Sequence, residues 1–175
     1  MIQIKDANSN TVNLTTTTLP NGEVPVHASL PHTHAAAYAH RVYCAGHRAD
    51  GLTAAAPLDV YVVPDNAPAW LQIELSAGNP VSTMLYSGAS ATYGTPATEW
   101  RANQTGSGNS GFVFAPNPTI NTLGTLVLDY NPPVLSAPPG IILAPGTNYL
   151  YRFTPSVDNT SLYVLFTVTF YDWPQ

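Results

Sequence analysis

Along Ser161-Leu-Tyr-Val-Leu-Phe-Thr-Val-Thr-Phe-Tyr171, Leu162, Val164, Phe166, Val168 and Phe170 fall on one face of an extended strand. Tyr163, Thr167, Thr169 and Tyr171 dominate the other, a period of two that predicts a sheet with one dry side. The stretch Gly140 to Thr154 alternates as well, and a polar turn joins it to the last strand as a closing hairpin. Further strand patterns run from Tyr38 to Cys44, Leu58 to Val63, Ala69 to Leu75, Val81 to Tyr86, Gly111 to Ala115 and Thr125 to Tyr130. Turn clusters such as Pro64-Asp-Asn-Ala-Pro68, Ser76-Ala-Gly-Asn-Pro80 and Asn131-Pro-Pro133 separate them. Eight or nine short strands with Pro and Gly turns predict an all-β, antiparallel β-sandwich, and either a jelly roll or an immunoglobulin-type sandwich fits that count. No segment keeps helical periodicity over ten residues; Ala35-Ala-Ala-Tyr-Ala39 can supply one turn at most.

Ahead of the sandwich, Ile2, Ile4, Val12 and Leu14 alternate around Asp6-Ala-Asn-Ser-Asn10, which predicts a small N-terminal hairpin. Prolines then recur between Thr15 and Pro31, withholding ladder donors, so residues 15 to 35 read as an extended strap. The chain divides into a hairpin and arm over 1–35 and a sandwich over 36–175. Two long loops, Thr92 to Ser110 and Asn131 to Pro139, interrupt the strands; the first holds Trp100, Arg101 and the flexible run Thr105-Gly-Ser-Gly-Asn-Ser110.

Charge changes the picture more than length does. Charged residues make up 9% of the 175, against a usual quarter, while 45% are hydrophobic. One Lys and four Arg face ten carboxylates, a balance that cannot cover a polyphosphate backbone, so nucleic acid is excluded as a partner. The apolar stretches are strand-sized, which excludes a membrane helix. Met1-Ile-Gln-Ile-Lys-Asp6 has no basic start followed by an apolar run, which argues for a cytosolic origin. The single Cys44 permits no internal disulfide and reads as a small packed side chain. Sequons at Asn13, Asn103 and Asn159 are what an Asn- and Thr-rich chain generates by chance.

Candidate chemistry is thin. His27, His32, His34, His40 and His47 crowd into 21 residues, and His32 and His34 share a strand face, but the spacing supplies no third ligand; neither metal nor other cofactor is expected. Asp65-Asn66 and Asp129 lack the spacing of a calcium loop. Asp59, Glu74, Glu99 and Asp129 offer carboxylates without pairing any two for glycoside hydrolysis, and no nucleophile motif is present, so an enzyme is not expected. Trp70, Trp100, Trp173, Tyr86 and Tyr93 could stack on sugars. Trp70 reads as core, leaving Tyr93 and Trp100, with Arg101 beside them, as the exposed glycan contacts.

The two ends resemble tailed-bacteriophage virion proteins. Ile2-Gln-Ile-Lys-Asp-Ala-Asn-Ser-Asn-Thr-Val12 is similar to the strand, turn, strand start of head decoration and fibre-type proteins. Leu143-Ala-Pro-Gly-Thr-Asn-Tyr-Leu-Tyr-Arg-Phe-Thr-Pro-Ser156, with Phe170-Tyr-Asp-Trp173, is similar to the close of their jelly-roll domains. The resemblance covers about 30 of the 175 residues. It implies a jelly roll and a structural virion protein, a capsid decoration or cement protein assembled in the host cytoplasm. Its partners would be the major capsid protein and copies of itself in a trimer. Attachment would then fall to Ile2, Ile4, Val12, Leu14, Leu19, Val24 and Val26. The rival reading is a tail-fibre or receptor-binding domain that grips host glycans, or a carbohydrate-binding module, using Tyr93, Trp100 and Arg101.

Overall fold

The computed structural model describes residues 3–5, 11–13, 42–101 and 110–170, and for the first two segments the backbone alone. The described residues form strands and connecting loops, with no helix. The strands β1 (Gln3–Lys5) and β2 (Thr11–Asn13) pair antiparallel with Ile4 opposite Val12, the hairpin expected from the sequence. The strap, the candidate helical turn at 35–39, and residues Ile2, Leu14, Leu19, Val24 and Val26 lie outside the described residues.

Two five-stranded antiparallel sheets make the sandwich. Their strands are β3 (Val42–Leu52), β4 (Leu58–Val63), β5 (Ala69–Ala77), β6 (Val81–Ser87), β8 (Glu99–Arg101), β9 (Val113–Pro116), β11 (Thr125–Tyr130), β12 (Ile141–Leu143), β13 (Tyr149–Pro155) and β14 (Thr160–Phe170). One sheet runs β11-β6-β13-β4-β9 and the other β12-β5-β14-β3-β8. The short strands β7 (Ser90–Thr92) and β10 (Thr119–Thr122) pair separately. The pairing is nested: β3 bonds β14, β4 bonds β13, β5 bonds β12, and β6 bonds β11. The segment from β7 to β10 is inserted at the centre of that nest, and it adds β8 and β9 as outer edges of the two sheets.

The antiparallel sandwich is as the sequence predicts, but the closing hairpin is not. β13 and β14 lie in different sheets, so the turn between them crosses the sandwich, with Asn159 in the left-handed conformation that Asn tolerates. Their dry faces meet across the core, Tyr151 and Phe153 standing 5.9 and 6.3 Å from the Phe166 ring. Phe114 stacks on Phe166 at 5.0 Å, and Leu162, Val164 and Val168 are fully buried beside them. Two strands that each carry a dry face bury more apolar area facing one another than lying side by side. The first sandwich strand, expected over Tyr38 to Cys44, runs on past Cys44 through the polar run Gly46 to Asp50, because alternate residues face outward there; residues 38–41 lie outside the described residues.

Three strands were hidden in loops. β8 docks Trp100 opposite Cys44, while β7 and β10 carry Ala91 and Ile120 onto the outside of the β11-β6-β13-β4-β9 sheet. There Tyr61 and Leu150 point away from the core and are buried in a second apolar layer with Ala89 and Ala115. Short apolar segments such as Ser90–Thr92 fall below the length at which alternation can be read.

Candidate functional site

The clearest unsatisfied surface is one edge of the sandwich, where β11 and β12 end the two sheets. Leu126 and Val127 of β11, Ile142 of β12 and Val134 of the loop between these strands are 48–66% exposed, Leu126 and Ile142 pointing to the outer faces of their two sheets. An open cleft of about 300 Å³ separates the two edge strands, lined by Leu85, Ser87, Val127, Leu128, Ile141, Ile142 and Tyr149. The ladder between β11 and β6 shifts register between Leu126 and Leu128, which makes Val127 the extra residue of a bulge. A bulge on an edge strand hinders the addition of another strand, so this edge offers side chains rather than backbone.

The candidate glycan residues separate. Tyr93 is exposed but leans on Tyr61 at 5.7 Å, outside the β11-β6-β13-β4-β9 sheet. Trp100 is equally exposed on the outer face of the other sheet. Arg101 belongs to β8, and its side chain is outside the description, as are Trp173 and residues 102–109. Trp70 is not core. Ala69, Leu71 and Ile73 take the inward positions of β5, and the Trp70 indole lies on the outer face, close over Gly140, where a β-carbon would collide with it.

The four carboxylates are dispersed. Asp59 accepts a two-pronged bond from Arg152, Nε to Oδ1 at 2.8 Å and Nη2 to Oδ2 at 2.9 Å, on the outer face of its sheet. That bond raises the Arg152 pKa above its ordinary value. Glu99 accepts from the Ser110 amide at 2.9 Å and the Ser110 hydroxyl at 2.6 Å, joining the two sides of the long loop. Asp129 and Asp59 lie in one row with Met84 and Arg152 between them, three strand spacings or about 14 Å apart, beyond the reach of a glycosidase pair. Glu74 stands exposed on the other sheet.

Of the five histidines, only His47 is described. Burial lowers its pKa, and its ladder neighbour is the core residue Val164. Among the described residues no three His, Cys, Asp or Glu side chains converge, Asp65 and Asp129 included. Cys44 is half-buried with its sulfur 3.8 Å from the Thr167 hydroxyl, and burial pushes its thiol above the ordinary value.

No helix of the described residues is long and apolar enough to cross a membrane. Compared with family models, with curated proteins and with solved structures, the chain matches none.

Proposed function

We propose that this chain is a structural protein of a tailed-bacteriophage virion, a capsid decoration or cement protein, and that its sandwich associates with other copies through the β11–β12 edge. The likeness of its two ends to such proteins suggests the virion, and we read the nested strand order as a jelly roll. The observation that carries the reading is the edge itself: Leu126, Val127, Val134 and Ile142 bring apolar side chains to the surface along neighbouring strands and the loop between them. A surface with so few charges and exposed apolar side chains on both edge strands is suited to burial against protein. Residues 1–35 then hold the head surface, and a trimer on the capsid lattice places the sandwich outward.

The full chain should sediment as a multiple of its 18.6 kDa, and Val127→Asp with Ile142→Asp should return it to monomers. Cryo-EM of the particle that carries it should show it repeated over the head. A tail-tip location, or a monomer that associates with no particle, would sink this reading.

A further inference from the structure

The outer face of the β12-β5-β14-β3-β8 sheet carries a second arrangement, independent of the apolar edge. Gly46 sits on β3 where its missing side chain leaves space, and the Tyr163 ring of β14 fills it: a β-carbon on Gly46 would stand 2.3 Å from the Tyr163 hydroxyl and 3.0 Å from Cζ. Tyr163 is thereby laid across the sheet instead of standing off it, yet it keeps 40% of its surface exposed. Beside it, β3 carries a bulge. Thr160 pairs with Leu52 and Leu162 with Ala49, so Asp50 and Gly51 together oppose Ser161, and Gly51 takes φ +68° as such a bulge requires. The bulge turns Asp50 toward its neighbours: a bond from the Ser161 hydroxyl, and then Arg48 Nε at 3.1 and 3.3 Å, lower the pKa of its carboxyl. Arg48, Ser76, Ala77, Gly78, Ser161 and Tyr163 line a cleft of about 250 Å³ here.

The chemistry of this cleft is specific in outline. An exposed aromatic ring meets the apolar face of a pyranose, while a guanidinium donates to its hydroxyls and serine hydroxyls donate to or accept from them. Arg48 and Asp50 cancel in charge, so the site favours a neutral ligand; Asp50 would repel a phosphate or carboxylate. The volume lies below the roughly 300–1,000 Å³ of drug-sized sites and suits a single ring. Trp100 stands on the same face, one strand and two residues from Gly46, about 8 Å away by the ladder dimensions, where a neighbouring ring of the ligand would lie.

We infer that this cleft binds a neutral saccharide, one ring stacking on Tyr163 while Arg48, Ser76 and Ser161 bond its hydroxyls and Asp50, beside the lining, holds Arg48 and Ser161 in place. The site lies apart from Tyr93 of the expected glycan contact but shares its Trp100, and it does not depend on the assembly role. Saturation-transfer NMR on the full chain, with glucose, galactose, mannose, rhamnose, N-acetylglucosamine and their disaccharides as probes, should detect at least one. Tyr163→Ala should then weaken the best probe about tenfold, near the upper end of what one aromatic contact is worth. Asp50→Ala, at an exposed position, frees Arg48 and Ser161, should also weaken binding, and serves as the second variant should Tyr163→Ala fold poorly. Silence across the whole panel overturns the inference. So does preference for inorganic phosphate over every sugar, or binding that Tyr93→Ala abolishes while Tyr163→Ala and Asp50→Ala spare it.

Discussion

The two sheets have matching inner faces and opposite outer ones. The β11-β6-β13-β4-β9 sheet is covered by its own chain: the β7–β10 insertion lays Ala91, Ile120 and Leu123 over Tyr61 and Leu150, so the middle strands are buried on both sides. On the β12-β5-β14-β3-β8 sheet, Val42 and Thr169 are buried beside Trp70, but the face beyond them is open. It carries Gln72, Glu74, Ser76, Tyr163 and Arg48 exposed, with Cys44 and Thr167 half-buried between. The contrast is written into two strands of similar composition. β13 runs Tyr149-Leu150-Tyr151 buried without a break, whereas β14 alternates strictly from Ser161 to Val168. A strand with both faces covered loses its polar positions; one with a solvated face keeps them.

The largest effect should come from the face that both sheets share. Phe166 is 1% exposed at the meeting of the two sheets, so Phe166→Asp buries an unpaired carboxylate and should unfold the chain, a loss above about 4 kcal/mol. Thr167→Asp, one residue along and facing outward, should cost far less. Chemical denaturation of the two variants decides it, and equal tolerance would mean that the faces of β14 are reversed.

The outer layers are separated by a milder pair. Leu150 is fully buried beneath the inserted strands, so Leu150→Ala should cost about 2–5 kcal/mol, as cavities in packed cores do. Leu165 points outward from the other sheet and is only partly covered, and Leu165→Ala should stay below about 1 kcal/mol. A comparable loss at both positions, read from urea midpoints at unchanged slope, would show that the second sheet is capped as thoroughly as the first.

What was legible in the sequence follows the same division. β4 and β11 were bounded to the residue by the turn residues that flank them, and the dry face of β14 was assigned correctly because alternation over six or more residues reports burial directly. The partner of that dry face was not legible. Period two says which side chains point inward but not which strand they meet, so a connection between sheets passed for a hairpin. Trp70 was misplaced for a related reason: its size suggested core, whereas the small Ala69 holds the inward position and Gly140 makes room for the indole outside. The Asp50, Ser161 and Tyr163 cluster left only a faint sign, an Asp-Gly pair within a strand pattern, which can mark a bulge; residues far apart in sequence had to be brought together by the ladder between β3 and β14.

The smallest effect provides a probe of the open face in the native state. Cys44 lies midway across it, between Thr167 and the strand bearing Trp100, and its pKa is raised chiefly by burial, with a lesser lowering from the Thr167 hydroxyl and a further rise from Glu74. A raised thiol pKa leaves less thiolate at pH 8 than an ordinary cysteine has, so alkylation by iodoacetamide should be several-fold slower in the folded chain than in urea. Because the protonated form is favoured by folding, the associated stability is present below pH 9.0 and is lost as the pH rises through the raised value. The folded chain's labelling rate should therefore climb further above pH 9 than the unfolded chain's. Thr167→Val removes the bond that lowers the pKa and should slow labelling again without unfolding the protein. A thiol as reactive as in urea would show that this part of the sheet is more open than its burial indicates, and one that reacts only after global unfolding would show that the face is covered after all.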